Sequence, residues 1–111
     1  MTPSALPQVP EPLERAWQVP LDHPAFAGHF PGHPVLPGVV LLDLALEAAR
    51  SFQTSAADGV WLVPQAKFLQ VVRPGDRLLL RLTPTATGTL NFEFRRDGEQ
   101  VASGQLRAGA A

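Results

Sequence analysis

No cysteine occurs anywhere in the 111 residues. Disulfides, thiolate nucleophiles and cysteine–zinc sites are thereby excluded. A charge of one sign is missing too. Nine lysine and arginine side chains stand against ten aspartates and glutamates, for a formal net charge of −1. The basic residues, from Arg15 to Arg107, are scattered along the chain. Without a basic face, neither nucleic acid nor an anionic membrane is expected as a main partner. No apolar run reaches the ~18 residues that a membrane helix needs. No charged stretch leads into an apolar one at the N-terminus, so no secretory signal is visible and the cytoplasm is the expected compartment. What is present fits a globular chain. Hydrophobic residues make up 45% of it, and the length suits one domain with one core.

Proline organises the first third. Four prolines in residues 1–12 forbid helix and ladder pairing, so that stretch reads as an extended arm and 13–111 as a single domain. Leu13–Val19 alternates apolar and polar residues as a strand does. Residues 20–38 hold five prolines and three glycines and cannot form a long regular element. Loops of that length inside compact domains are usually functional or disordered. Phe26, Phe30, Val35 and Leu36 give this one something to bury.

A helix follows, opened by Pro37 or Gly38 and running from Val39 to Phe52. It is apolar nearly all round, which predicts cover on most sides. Asp43, Glu47 and Arg50 share one polar stripe. The second half reads as strands: Val60–Val63, Ala66–Val72, Arg77–Thr83, Thr89–Arg96 and Gln100–Arg107. Arg73-Pro74-Gly75-Asp76 and Asp97-Gly98 supply turns. An apolar helix followed by an antiparallel meander is an α+β arrangement in which the sheet wraps the helix. One short sheet cannot cover every side of it, so a second copy of the chain is the expected remaining cover.

The run Gly28-His29-Phe30-Pro31-Gly32-His33-Pro34-Val35-Leu36-Pro37-Gly38 leads into that helix, and Asp43 stands fourteen positions after His29. Here the chain resembles the β-hydroxyacyl-acyl-carrier-protein dehydratases, whose pattern is G-H-F-P-G-x-P-x-x-P-G, a helix, and an acidic residue at that distance. Asp22-His23-Pro24 and the segment from Lys67-Phe68 to Asp76 also look like the family. The compact form is similar to dehydratases of specialised pathways such as those making aryl polyene pigments. The resemblance implies the hotdog fold, a long central helix wrapped by a curved antiparallel sheet, as a homodimer or a higher oligomer of dimers. It implies dehydration of a 3-hydroxyacyl thioester to the trans-2-enoyl thioester, with carrier-protein-bound substrate expected ahead of coenzyme A.

In that chemistry His29 is the base, near its working pKa, and Asp43 the acid, kept protonated by apolar surroundings and supplied by the partner subunit. The Gly38 N–H at the helix start fits the oxyanion donor. Phe30, Val39 and Glu47 join Gly38 as expected substrate contacts. No cofactor is implied. The chain departs from the family in three places. Asp43 replaces the usual glutamate, as in the dehydratase/isomerase branch. Glu47 replaces a glutamine, so either carboxyl is placed to hold the catalytic proton. Leu69-Gln70 replaces a basic pair associated with carrier docking.

Other readings stay open. His23 reads as a turn residue with Asp22 capping the turn, and His33 as a loop or pocket-rim residue. His23, His29 and His33 at i, i+6 and i+10 match no common zinc arrangement, so no metal is expected. Glu47 is expected either to pair with Arg50 or to face a tunnel. Trp17, Trp61, Phe68, Phe92 and Phe94 are expected in the core or along an acyl channel. Two rival functions are a hotdog acyl thioesterase and a non-catalytic acyl-binding or partner subunit of a dehydratase.

Overall fold

The computed structural model describes residues 11–26, 34–52 and 61–109. Five strands, β1 (Leu13–Gln18), β2 (Trp61–Phe68), β3 (Arg77–Pro84), β4 (Thr89–Arg96) and β5 (Glu99–Ala108), form one antiparallel sheet in the order β1-β3-β4-β5-β2. Helix α1 (Gly38–Ala49) continues into a 3-10 turn over Arg50–Phe52. The expected α+β arrangement of one helix and an antiparallel sheet is therefore present.

Alternation along the strands decides which sheet face meets the helix. Leu78, Leu80 and Leu82 of β3, Leu90, Phe92 and Phe94 of β4, and Val101, Ala102 and Leu106 of β5 are buried together. The helix presents Leu41, Ala45, Ala48 and Ala49 to this cluster. The three alanines have no exposed surface, and their small size lets the helix backbone lie close to the sheet. Gly104 serves the same purpose within the sheet. It pairs with Phe92 across the strands, and a Cβ there would overlap the Gln65 carbonyl oxygen and the Phe92 ring.

Asp97 and Gly98 both take positive φ, 52° and 82°, as the two-residue hairpin turn between β4 and β5 requires. The turn before β3 is closed by the Asp76 amide donating to the Arg73 carbonyl at 3.1 Å.

One expectation needs correction. The predicted strands 60–63 and 66–72 are one strand, β2, that runs through Pro64. Proline has no N–H for the ladder, and the register with β5 slips by one residue between Leu62 and Gln65, where Pro64 sits. The strand ends at Phe68, because the Leu69 and Gln70 amides converge on one carbonyl, Val101 O, at 2.8 and 3.2 Å. The helix, as expected of one short sheet, keeps one side uncovered. Within one chain Val39, Asp43, Glu47 and Arg50 are exposed along one side.

Candidate functional site

The start of α1 is built from the chain before it. The Leu36 amide donates to the Val72 carbonyl at 2.7 Å, and both side chains are buried. Pro37 then caps the helix in extended conformation without a side-chain hydrogen bond. Val40 N bonds back to Pro37 O at 3.0 Å, while the Gly38 and Val39 amides meet no backbone acceptor among the described residues. Unpaired amides at a helix start form a donor site for negative charge. Beside them opens a cleft of about 280 Å³, lined by Leu36, Gly38, Leu41, Phe68, Val71 and Val72.

Phe68, expected in the core or along an acyl channel, is 48% exposed; it lines this cleft, and its ring stands over Gly38. A Cβ on residue 38 would lie 2.8 Å from the ring's Cδ1. An aromatic neighbour thus favours glycine at this position. The other aromatics follow expectation: Phe92 and Phe94 are buried, and Trp17 and Trp61 pack against the core.

Asp43 and Val39 are exposed on the stripe that begins at this helix start, Val39 at 59%. Among the described residues, the chain does not supply the apolar surroundings expected around Asp43. Glu47, one turn further, borders a second cleft of about 280 Å³ between α1 and the sheet, with Arg15, Trp17, Leu44, Leu80 and Phe94. Glu47 and Arg50 form no ion pair among the described residues, which corrects that expectation. His29, Phe30 and His33 lie outside the described residues.

His23 acts within its turn. Its Nδ1 accepts the Ala25 amide at 3.0 Å, and its ring meets Trp17 and Phe26 edge-on. The cap is this imidazole and not the Asp22 carboxylate.

A wider concavity of about 620 Å³ lies on the outer face of the sheet, over Arg81, Glu93 and Arg95. Most of its charges are matched, and Lys67 alone of the charged lining residues has no ion-pair partner among the described residues. Glu14 pairs with Arg81 at 3.3 Å, and Glu93 takes two bonds from Arg95, at 2.8 and 3.0 Å. The hydrogen bonds from Arg95 hold the Glu93 carboxyl below its ordinary value. Carboxylates paired in this way offer no free acid or base.

The family model described as ApeI-like, ApeI dehydratase, matches residues 8–105. The chain belongs to this dehydratase family. The 3-hydroxyacyl-[acyl-carrier-protein] dehydratase FabZ of Shewanella woodyi is 30% identical over 108 residues, covering 86% of this chain and 71% of the relative. Its counterpart from Aliarcobacter butzleri is 36% identical over 103 residues, covering 83% and 69%. Among solved structures, the dehydratase heterocomplex ApeI:P from Xenorhabdus doucetiae superposes with a TM-score of 0.73 at 24% identity, over 86% of this chain and 85% of that one. The fold of this ApeI-like dehydratase is the hotdog, as the resemblance implied.

Proposed function

We propose that this ApeI-like dehydratase removes water from a 3-hydroxyacyl thioester carried on an acyl carrier protein, and that two copies of the chain build each site. The observation that carries the reading is the helix start, where the Gly38 amide, without a backbone acceptor among the described residues, meets a mainly apolar cleft and the exposed Asp43 stripe. The thioester carbonyl accepts from Gly38 N–H, which stabilises the charge that builds on its oxygen. His29 removes a proton from C2, the C2–C3 double bond forms, and the C3–O bond breaks. Asp43 protonates the departing hydroxyl, which leaves as water.

The partner is inferred from what one chain leaves uncovered. Val39, Asp43 and Glu47 are exposed on α1, and edge strand β2 exposes Leu62, Val63 and Phe68. Asp43 needs a drier setting than the described residues provide if it is to hold a proton. The named substrate of the FabZ relatives supports the carrier-bound thioester.

The test is complementation. His29→Ala and Asp43→Asn should each abolish formation of the enoyl thioester. Mixed after joint refolding, they should regain about a quarter of the intact sites, because half the dimers are mixed and one of their two sites is whole. No recovery overturns the shared site. Loss of activity in Glu47→Gln with activity kept in Asp43→Asn moves the acid to Glu47. Free thiol released in place of enoyl product establishes the thioesterase reading. The heterocomplex described for the Xenorhabdus dehydratase favours one further arm. Activity that appears only after a second hotdog chain is added establishes a partner-subunit role.

A further inference from the structure

The alternation of β4 sends Leu90, Phe92 and Phe94 to the helix side of the sheet, and Arg96 follows them at the strand's end. A guanidinium on that side needs acceptors for its donors. Arg96 finds three. Its Nη1 donates to Val71 O at 2.8 Å and to Asp76 Oδ2 at 2.7 Å, and its Nη2 donates to Gln70 Oε1 at 2.8 Å. The Arg96 and Asp76 side chains are only 21% and 23% exposed. The same Asp76 oxygen accepts the Arg73 amide at 2.9 Å and so closes the turn. One side chain therefore grips both ends of segment 70–76.

The middle of that segment holds the candidate site. Val72 is 1% exposed, and its carbonyl takes the Leu36 amide. Leu36 is followed by the cap residue Pro37 and by Gly38, the first residue of α1. We propose that Arg96 is a positioning residue for turnover, holding the start of α1 in register through Asp76, Val71 and the Val72–Leu36 bond. The inference rests on the reading of Gly38 N–H as the oxyanion donor. Without the guanidinium, Val71 O and Gln70 Oε1 lose their partner and the Asp76 carboxylate keeps only one amide. Segment 70–76 then loosens, and the Gly38 amide drifts from its alignment. Donor alignment acts on the transition state, so kcat should fall while KM stays nearly constant.

The experiment uses the full chain and a panel of 3-hydroxyacyl-pantetheine thioesters, read by enoyl absorbance below the unfolding temperature of every variant. Arg96→Met should lower kcat about tenfold or more with KM within about twofold. Arg96→Lys, which keeps the charge, should recover part of the loss, and Asp76→Asn should fall between. Amide hydrogen exchange at Leu36 should speed up in the order Lys, then Met. A folded Arg96→Met with wild-type kcat overturns the proposal, whatever its unfolding temperature. Should Arg96→Met fail to fold, Arg96→Lys and Asp76→Asn decide, and wild-type kcat in both overturns it. The underlying reading fails separately: if the unmodified chain makes no enoyl product, that reading falls and the role of Arg96 in turnover falls with it.

Discussion

Replacing Gly38 by alanine tests how the helix start is packed. Alanine is conformationally acceptable there, because Gly38 has no positive φ. Where the backbone permits it, the exchange stabilises by roughly 0.4–1 kcal/mol, through lost freedom of the unfolded chain and better helix propensity. Against this stands the Phe68 ring, with three atoms at 2.8–3.0 Å from the new Cβ. Overpacking costs about 1–3 kcal/mol, and a half-exposed ring that can swing aside belongs at the lower end. With about 1.5 kcal/mol of clash against roughly 0.4–1 kcal/mol of benefit, Gly38→Ala in the wild-type background should be destabilising by about 0.5–1 kcal/mol.

Phe68→Ala alone should cost about 1 kcal/mol, since roughly half the ring's burial is lost. In the Phe68→Ala background the clash is gone and only the alanine benefit remains, so the sign of Gly38→Ala should reverse. The coupling energy is then about 1–2 kcal/mol. Urea unfolding of the four proteins at one fixed protomer concentration measures it. Equal destabilisation by Gly38→Ala with and without Phe68 refutes the reasoning.

Two further outcomes follow from the sheet. Gly104→Ala should destabilise by about 3 kcal/mol, because its Cβ meets a backbone carbonyl and a buried ring with nowhere to swing. The melting temperature should drop by about 12 °C or more, and a drop of under about 3 °C would contradict the packing. The second concerns pH. Arg95 holds the Glu93 carboxyl below its ordinary value of 4.5. A depressed folded-state value stabilises above the unfolded value and is lost as pH falls through the folded one. The stability gap between wild type and Glu93→Gln should thus narrow as pH falls below 4.5, whereas a constant gap in urea midpoints would rule the linkage out.

Much of this site was legible from the chain alone, and the reasons are local. Pro37-Gly38 announces a helix start because proline suits a position with no hydrogen-bond partner and prevents continuation of what precedes it. The i, i+4, i+7 spacing of Asp43, Glu47 and Arg50 places them on one stripe in any helix, and they do lie exposed together. What failed was non-local. Pro64 looked like a strand boundary because a register slip across β5 is invisible until β5 is beside it. Phe68 read equally as core or as channel lining because the neighbour that claims its ring, Gly38, is thirty residues away. Arg96 looked like an ordinary strand-end cation, though the period-two pattern already put it on the side of Phe92 and Phe94.

The sequence by itself determined the chemistry on offer and the local elements: no thiols, one proline-rich loop carrying the histidines, a glycine-opened helix with a carboxylate on its exposed stripe, and an antiparallel meander. Side-chain type and short-range periodicity suffice for these, since they depend on neighbours within about one helical turn or one strand pair. Only the tertiary structure decided what stands over Gly38, which carbonyl holds Leu36, and that Arg96 grips the segment between them. Those contacts join residues 20 to 36 positions apart. They depend on strand order and register, which burial of the whole sheet face selects and no single segment encodes.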